Sequence, residues 1–216
     1  MKIKRNYDHV AQDKIVNEHG DGVSWIRGPL LGRGTFGRVH KASLRIKHQS
    51  KYKSCFPCEM AVKSAEVSVA GTLLVEREIM SNLKVCPYVI QCFGEETTMG
   101  YNGDLAYNIL LEYGSGGSLA DRIRKSGGNG LSEQEVKKHT RSILRGLKHI
   151  NGMGYVHCDL KPGNILLVPN DTGKGGNIDS IEFRAKIGDF GLGQEAGLAT
   201  LSEGYNYVFI ARGCDR

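Results

Sequence analysis

The chain lacks any long apolar stretch. No run approaches the ~20 consecutive apolar residues of a membrane-spanning helix, so no membrane partner is expected. It also lacks a disulfide framework. Cys55, Cys58, Cys86, Cys92, Cys158 and Cys214 follow no paired spacing, and no secretory leader is visible. A reduced compartment follows, with the cytoplasm as the expected location and the nucleus as the alternative. Cys55-Phe-Pro-Cys58 stands without a second pair or a nearby histidine, so it reads as a surface loop and not as a zinc site. Charge of neither sign dominates: 29 basic and 23 acidic residues leave a net +6, spread along the chain. Lys2-Ile-Lys-Arg5 and Arg45-Ile-Lys-His48 read as solvated faces, and no nucleic-acid partner is expected. No internal repeat is visible, and nothing bears on oligomeric state.

What is present is a chain of 216 residues, 40% of them hydrophobic. That suffices for one sizeable core or for two small lobes sharing a cleft. Residues 1–24 are polar and aperiodic, and read as a loose arm. Strands are predicted over Trp25–Leu31, Val39–Ile46, Met60–Ser64, Val89–Phe93 and Ala106–Glu112, with a surface loop over His48–Glu59. Leu73–Leu83 fits a helix with apolar residues at 75, 79, 80 and 83. Gly114-Ser-Gly-Gly117 breaks the pattern and divides a strand-rich part from a helix-rich part, which makes it a candidate hinge. Ser118–Lys125 reads as a short helix. Ser132-Glu-Gln-Glu135 is a capping box. It opens a helix carrying Val136, Ile143, Leu144, Leu147 and Ile150 on one side, stopped at Asn151–Gly154. Pro169–Ser180 reads as a loop and Ala185–Ile187 as a short strand.

The chemistry concentrates in three places. Gly32-Arg-Gly34-Thr-Phe-Gly37-Arg-Val39 lies between two strands, where missing β-carbons let backbone amides approach a triphosphate. A dinucleotide fingerprint would need a helix after the glycines and an acid further on; β-type and basic residues follow here instead. A plain hairpin turn is the other alternative. Lys63, on a short apolar strand, can reach the α- and β-phosphates if its stem is held. Glu76 is the expected holder, because the apolar spacing turns it inward and leaves Glu78 outside. Glu112-Tyr113-Gly114 ends a strand before the glycine break, where extended backbone can hydrogen-bond an adenine edge. Leu111 would wall the back of that pocket, and Val39, Ala61 and Leu166 would sandwich the base; core packing is the bland reading of each.

The third place is Tyr155-Val-His-Cys-Asp-Leu-Lys-Pro-Gly-Asn-Ile-Leu-Leu167, followed by Asp189-Phe-Gly191. Phosphoryl transfer needs a carboxylate facing the nucleophile, a cation for the moving group, and oxygen ligands for magnesium. Asp159 fits the first role, Lys161 the second, and Asn164 with Asp189 the third. His157 is a poor metal ligand in this context and is expected to support the loop.

These residues make the chain resemble a serine/threonine protein kinase domain, from Trp25 to about Gly191. Asp-Leu-Lys-Pro-x-Asn is similar to the Ser/Thr branch, not the tyrosine branch. Trp25-Ile-Arg-Gly-Pro-Leu-Leu-Gly, Gly116-Gly-Ser-Leu-Ala-Asp, Thr140-Arg-Ser-Ile-Leu-Arg-Gly-Leu and His157-Cys-Asp resemble plant mitogen-activated protein kinase kinase kinases of the MEKK-like group. The resemblance implies an α+β, bilobal kinase-like fold with a strand-rich N-lobe over 25–113 and a partial helical C-lobe over 114–216. It implies ATP and Mg2+ as cofactors and a protein substrate, a MAP kinase kinase. A small-molecule or lipid kinase of the same fold matches the loop motifs less well.

Two departures from the family pattern stand out. The family usually has Arg where this chain has Cys158, and that Arg commonly pairs with a phosphorylated activation loop. Activation is therefore expected to depend less on loop phosphorylation, although a packed small hydrophobe without regulatory meaning is the plainer reading of Cys158. The chain also ends at Arg216, before the family's Ala-Pro-Glu-like motif and later helices. A truncated product or incomplete reading is expected from this, with an inactive nucleotide-binding or interfering fragment as the alternative function.

Overall fold

A computed structural model describes residues 18–34, 37–45, 57–83, 86–170 and 182–196. The first part is a five-stranded antiparallel sheet in the order β1-β2-β3-β5-β4. Its strands are β1 (Trp25–Gly34), β2 (Gly37–Leu44), β3 (Glu59–Glu66), β4 (Cys92–Met99) and β5 (Leu105–Leu111). Helix α1 (Gly71–Asn82) follows β3. The second part carries α2 (Leu119–Lys125) and α3 (Glu133–Gly152). Two small ladders accompany these helices. One pairs β6 (Tyr155–Val156) with β9 (Gln194–Glu195), the other β7 (Ile165–Pro169) with β8 (Phe183–Ile187). This is the strand-rich lobe followed by a helix-bearing lobe that the resemblance implied. Most of the 48–59 loop and the 169–180 loop lie outside the described residues.

Period-two alternation divides the sheet's two faces. Met60 and Val62 pack with Trp25, Ala42 and Leu110 on the outer face, whereas Ala61 and Ala65 join the large core shared by both lobes. Lys63 falls between them on the inner face, which places its amine in the cleft.

Three elements differ from the sequence reading. The strand expected over Val89–Phe93 instead starts at Cys92 and continues to Met99. A bulge between Cys92 and Gly94 is absorbed within it, and Gly94 pairs with Leu110. Val89 makes only an isolated parallel bridge to Ile187. Helix α1 turns Leu73, Glu76, Ile79 and Met80 inward and leaves Val75 exposed. Helix α3 buries His139, Ser142, Gly146 and Ile150, while Val136 and Leu144 are exposed. Ile143 and Leu147 pack partly buried against the core, and Gly146 faces β8, where a β-carbon would lie 2.8 Å from Ile187 Cδ1 and a bulky residue would hold the helix away.

Residues 18–24, which the sequence groups with the arm, pack against the sheet. The buried Arg27 guanidinium donates to Gly20 O at 2.9 Å, to Ser64 Oγ at 2.7 Å and to Asn108 Oδ1 at 2.8 Å. Trp25 Nε1 and Val23 N–H both donate to the Glu96 carboxylate. The Arg27 and Trp25 bonds satisfy buried donors that apolar packing would leave unpaired.

Both helices of the second part begin with reciprocal capping boxes: Ser118 with Asp121, and Ser132 with Glu135. Each side-chain pair satisfies amides that the first turn leaves open.

Candidate active site

The inner face of the sheet brings together the residues expected to line a base. Val39 stands opposite Lys63, and Ala61 opposite Leu111. Val39, Ala61, Leu111, Tyr113 and Leu166 all belong to one apolar cluster. Within the Glu112-Tyr113-Gly114 backbone expected at the adenine edge, Glu112 has one group already engaged. Its N–H donates to Gln91 O at 2.8 Å, which removes that donor from a base and leaves the carbonyl as its contribution.

The glycine-rich segment is the β1–β2 hairpin, with Gly32 opposite Val39 and Gly34 opposite Gly37. Thr35 and Phe36 at its tip lie outside the described residues. A β-carbon on Gly32 or Gly34 would meet no atom within 4 Å, so both present bare backbone to open space. Gly37 serves another purpose. A β-carbon there would sit 2.3 Å from Ser64 O, and its φ is +130°. Its missing side chain therefore lets β2 approach β3 and does not admit a ligand.

Lys63 is buried, and its Nζ lies 2.5 Å from Glu76 Oε2 and 2.7 Å from Asp189 Oδ1. Burial alone would pull the ammonium down, but the two carboxylates outweigh it and hold its pKa above the ordinary value. Burial pushes the Glu76 carboxyl up, against the pull of Lys63. Glu76 also accepts the Phe190 N–H at 3.3 Å, which couples α1 to the Asp189-Phe-Gly191 turn. Glu78 is exposed, as its position on the helix requires.

Among the described residues, the non-glycine positions in left-handed backbone are Cys158 at φ 60° and Asp189 at φ 64°. Both lie in the loops that carry the polar chemistry, where stored backbone strain is typical of working sites. His157 joins the two loops. Asp159 N–H lies 3.3 Å from His157 Nδ1, so Nδ1 accepts and Nε2 carries the proton, donating to Gly188 O at 3.0 Å. Burial holds the imidazole below its ordinary pKa and favours this neutral form. Its ring also packs 4.9 Å from Phe190.

Asp159 accepts from Lys161 Nζ at 2.7 Å and from Asn164 Nδ2 at 3.0 Å. Burial pushes its carboxyl up, but these two donors prevail and hold it below the ordinary value. Asn164 Nδ2 also donates to Asp159 O at 2.9 Å, which leaves its Oδ1 as an acceptor for a cation. Gly188 N–H donates to Asn164 O at 2.9 Å, bringing the Asn164 backbone next to the residue before Asp189. An amide oxygen and a carboxylate suit magnesium, which takes few protein ligands and completes its shell with water and phosphates. Among the described residues no group of three or more His, Cys, Asp or Glu side chains converges as a metal cage.

Residues 25–208 match the protein kinase domain family. The chain belongs to that family. It is 43% identical over 170 residues to mitogen-activated protein kinase kinase kinase 20 of Arabidopsis thaliana, covering 79% of this chain and 44% of that protein. It is 40% identical to kinase kinase kinase 17 of the same plant, covering 78% of this chain and 39% of the relative. Human mitogen-activated protein kinase kinase kinase 3 is 31% identical, covering 78% of this chain and 24% of its own length. The chain thus resembles this group of kinases and spans less than half the length of each.

Two features of the kinase cleft were not foreseen. Lys186 donates to both carboxylate oxygens of Glu112, at 2.7 and 2.8 Å. The alternating burial of β8 held a signal for this, since it puts Lys186 on the opposite face from Ala185 and Ile187, beside Leu166. The Gly114–Gly117 segment is also less free than a hinge implies. Gly116 N–H donates to Leu167 O at 3.0 Å, and Leu167 N–H to Gly117 O at 2.8 Å. A β-carbon on Gly116 would lie 2.8 Å from both Leu167 Cβ and Phe183 Cδ1. The glycine there allows a close junction with β7.

Proposed function

We propose that this chain is the catalytic domain of an ATP- and magnesium-dependent serine/threonine kinase of the MAP kinase kinase kinase type. Its proposed substrate is a hydroxyl on a MAP kinase kinase. The observation that carries the reading is the meeting of Lys63 with Glu76 and Asp189, beside a loop in which Asp159, Lys161 and Asn164 are mutually bonded. The substrate class rests on the kinase kinase kinases that the chain resembles.

The bound nucleotide and metal supply the transferable phosphoryl group and the charge that screens it. The chain's residues do the positioning. Val39, Ala61, Leu111 and Leu166 give an apolar slot for a base, and the Glu112 carbonyl and the backbone to Gly114 border it. Gly32 and Gly34, bare of side chains, would let backbone amides of the flap approach the phosphates. Lys63, kept charged by its carboxylate partners, would reach the α- and β-phosphates. Asn164 and Asp189 offer oxygens to magnesium. Asp159 would orient the substrate hydroxyl and take its proton as the new phosphoester bond forms and the bond from the γ-phosphorus to the bridging oxygen breaks, ADP leaving with that oxygen. The lowered pKa of Asp159 keeps it ionised, and Lys161 would balance charge on the moving group.

The test is transfer of labelled phosphate from ATP to a kinase-dead MAP kinase kinase, with free metabolites as controls. Label on the protein hydroxyl supports the reading. Nucleotide binding without transfer supports the interfering-fragment alternative, and label on metabolites alone supports a small-molecule kinase.

A further inference from the structure

Glu112 immediately follows β5, and Lys186 lies on β8, 74 residues later. Lys186 Nζ engages both oxygens of Glu112, and the two side chains are only 13% and 19% exposed, Lys186 being the more buried. Gln91 extends the contact. Its N–H donates to Glu112 Oε2 at 3.1 Å, and its carbonyl accepts the Glu112 N–H at 2.8 Å. The neighbouring residues fasten β8 to the same segment: Ile90 N–H donates to Ile187 O, and Ile187 N–H to Tyr88 O, both at 2.9 Å. Lys186 has no part in the chemistry above. Yet it stands opposite Leu166, on the floor of the base slot, and three residues before Asp189.

We infer that the Glu112–Lys186 pair is a positioning strut that fixes the span between the base-holding end of β5 and the metal-binding Asp189. The inference rests on the nucleotide-site reading. A nucleotide carries its base and phosphates on one ribose, so it gains from both ends of the cleft only when their separation fits. A pair with both acceptor oxygens on one ammonium, largely shielded from water, resists displacement far better than a solvated surface pair. A ligand that touches only the base end does not sense the span. The strut's signature is thus selective: it governs affinity for the whole nucleotide and not for the nucleoside.

The experiment is calorimetric titration of the full chain and its variants with adenosine and, separately, with Mg-ATP. Lys186→Met is expected to weaken Mg-ATP roughly tenfold while adenosine changes less than about twofold. Lys186→Arg, which keeps the charge and the donors, is expected to bind both ligands within about threefold of the parent. Glu112→Gln breaks the same charge pair from the other side and gives the same selective loss, so the inference stays testable if Lys186→Met folds poorly. Equal losses for adenosine and Mg-ATP overturn the strut, as does no loss for either. A parent chain that binds neither ligand overturns the nucleotide site itself and the strut with it.

Discussion

Lys63 and Asp189 lie 126 residues apart in the chain and meet at 2.7 Å. A strand residue of the first lobe and a turn residue of the second thereby share one charge cluster, completed by Glu76 from α1. Nothing in apolar packing requires a buried lysine there. A buried charge is costly unless paired, and a pair reached across two lobes makes cleft geometry part of the fold.

Replacing Lys63 with Met leaves the fully buried Glu76 without its counter-ion. The expected loss of unfolding free energy is about 3 kcal/mol, with loss of Mg-ATP binding. Adding Glu76→Gln should recover part of the stability and none of the binding. Urea denaturation of both variants checks this, and a Lys63→Met protein as stable as the parent would argue against a tightly coupled pair.

Asp159→Asn keeps the shape of the loop but removes the proton acceptor. Mg-ATP affinity should stay close to that of the parent, while phosphate transfer drops ~100-fold or more. Parallel titration and transfer assays separate the two effects. Normal turnover would assign proton acceptance elsewhere.

At Cys158 the contact is uncharged: its sulfur accepts from Gln194 Nε2 at 3.3 Å, beside the short β6–β9 ladder. Thr200 and Ser202, the hydroxyls expected as phosphorylation sites after Asp189-Phe-Gly191, lie outside the described residues. With no guanidinium at position 158 to capture a phosphate, Ala and Glu at Thr200 or Ser202 should give similar activities, within about threefold. Cys158→Arg should widen that gap. A large and opposite effect of Ala and Glu in the parent chain would show that another cation does the work.

His40 offers a pH test. Burial, then repulsion from Arg27, His19, Arg38 and Arg33, pulls it from 6.5 down to about 4. Between those values the unfolded chain binds more protons than the folded one, so stability rises with pH across the window. The contribution is complete above 6.5 and is lost as pH falls through about 4. His19, His139 and His157 shift in the same direction. His40→Gln should therefore flatten the fall in urea midpoint between pH 7 and 4 without abolishing it. Identical slopes would remove His40 from the account.

Much of the cleft could be read from local pattern. Glu76 was separable from Glu78 because helical spacing alone decides which faces inward. Asp159, Lys161 and Asn164 lie so close in sequence that their meeting needs only one tight loop. The strand alternation that puts Ala61 and Lys63 on one face is equally local. What escaped depended on distant partners. The β4 boundary hinged on a bulge between Cys92 and Gly94, where the sequence reading ended its strand. On α3, Ile143, Leu147 and Ile150 face the core as the apolar spacing indicates, but Val136 and Leu144 stay exposed, and Gly146 takes a buried place because Ile187 of β8 lies close. Residues 18–24 looked like a solvated arm, because the Arg27 and Glu96 bonds that hold them reach across the sheet. For the Glu112–Lys186 pair, the alternation along β8 sets the face of Lys186, but its partner lies 74 residues away and no local pattern names it.

The most direct measurement is calorimetric titration of ATP into the chain with and without Mg2+, repeated for Asp189→Asn. The account predicts that Mg2+ strengthens ATP binding to the parent roughly tenfold or more, and that Asp189→Asn removes this gain while leaving adenosine binding intact. A magnesium effect that survives the substitution, or ATP binding indifferent to the metal in the parent, would contradict it.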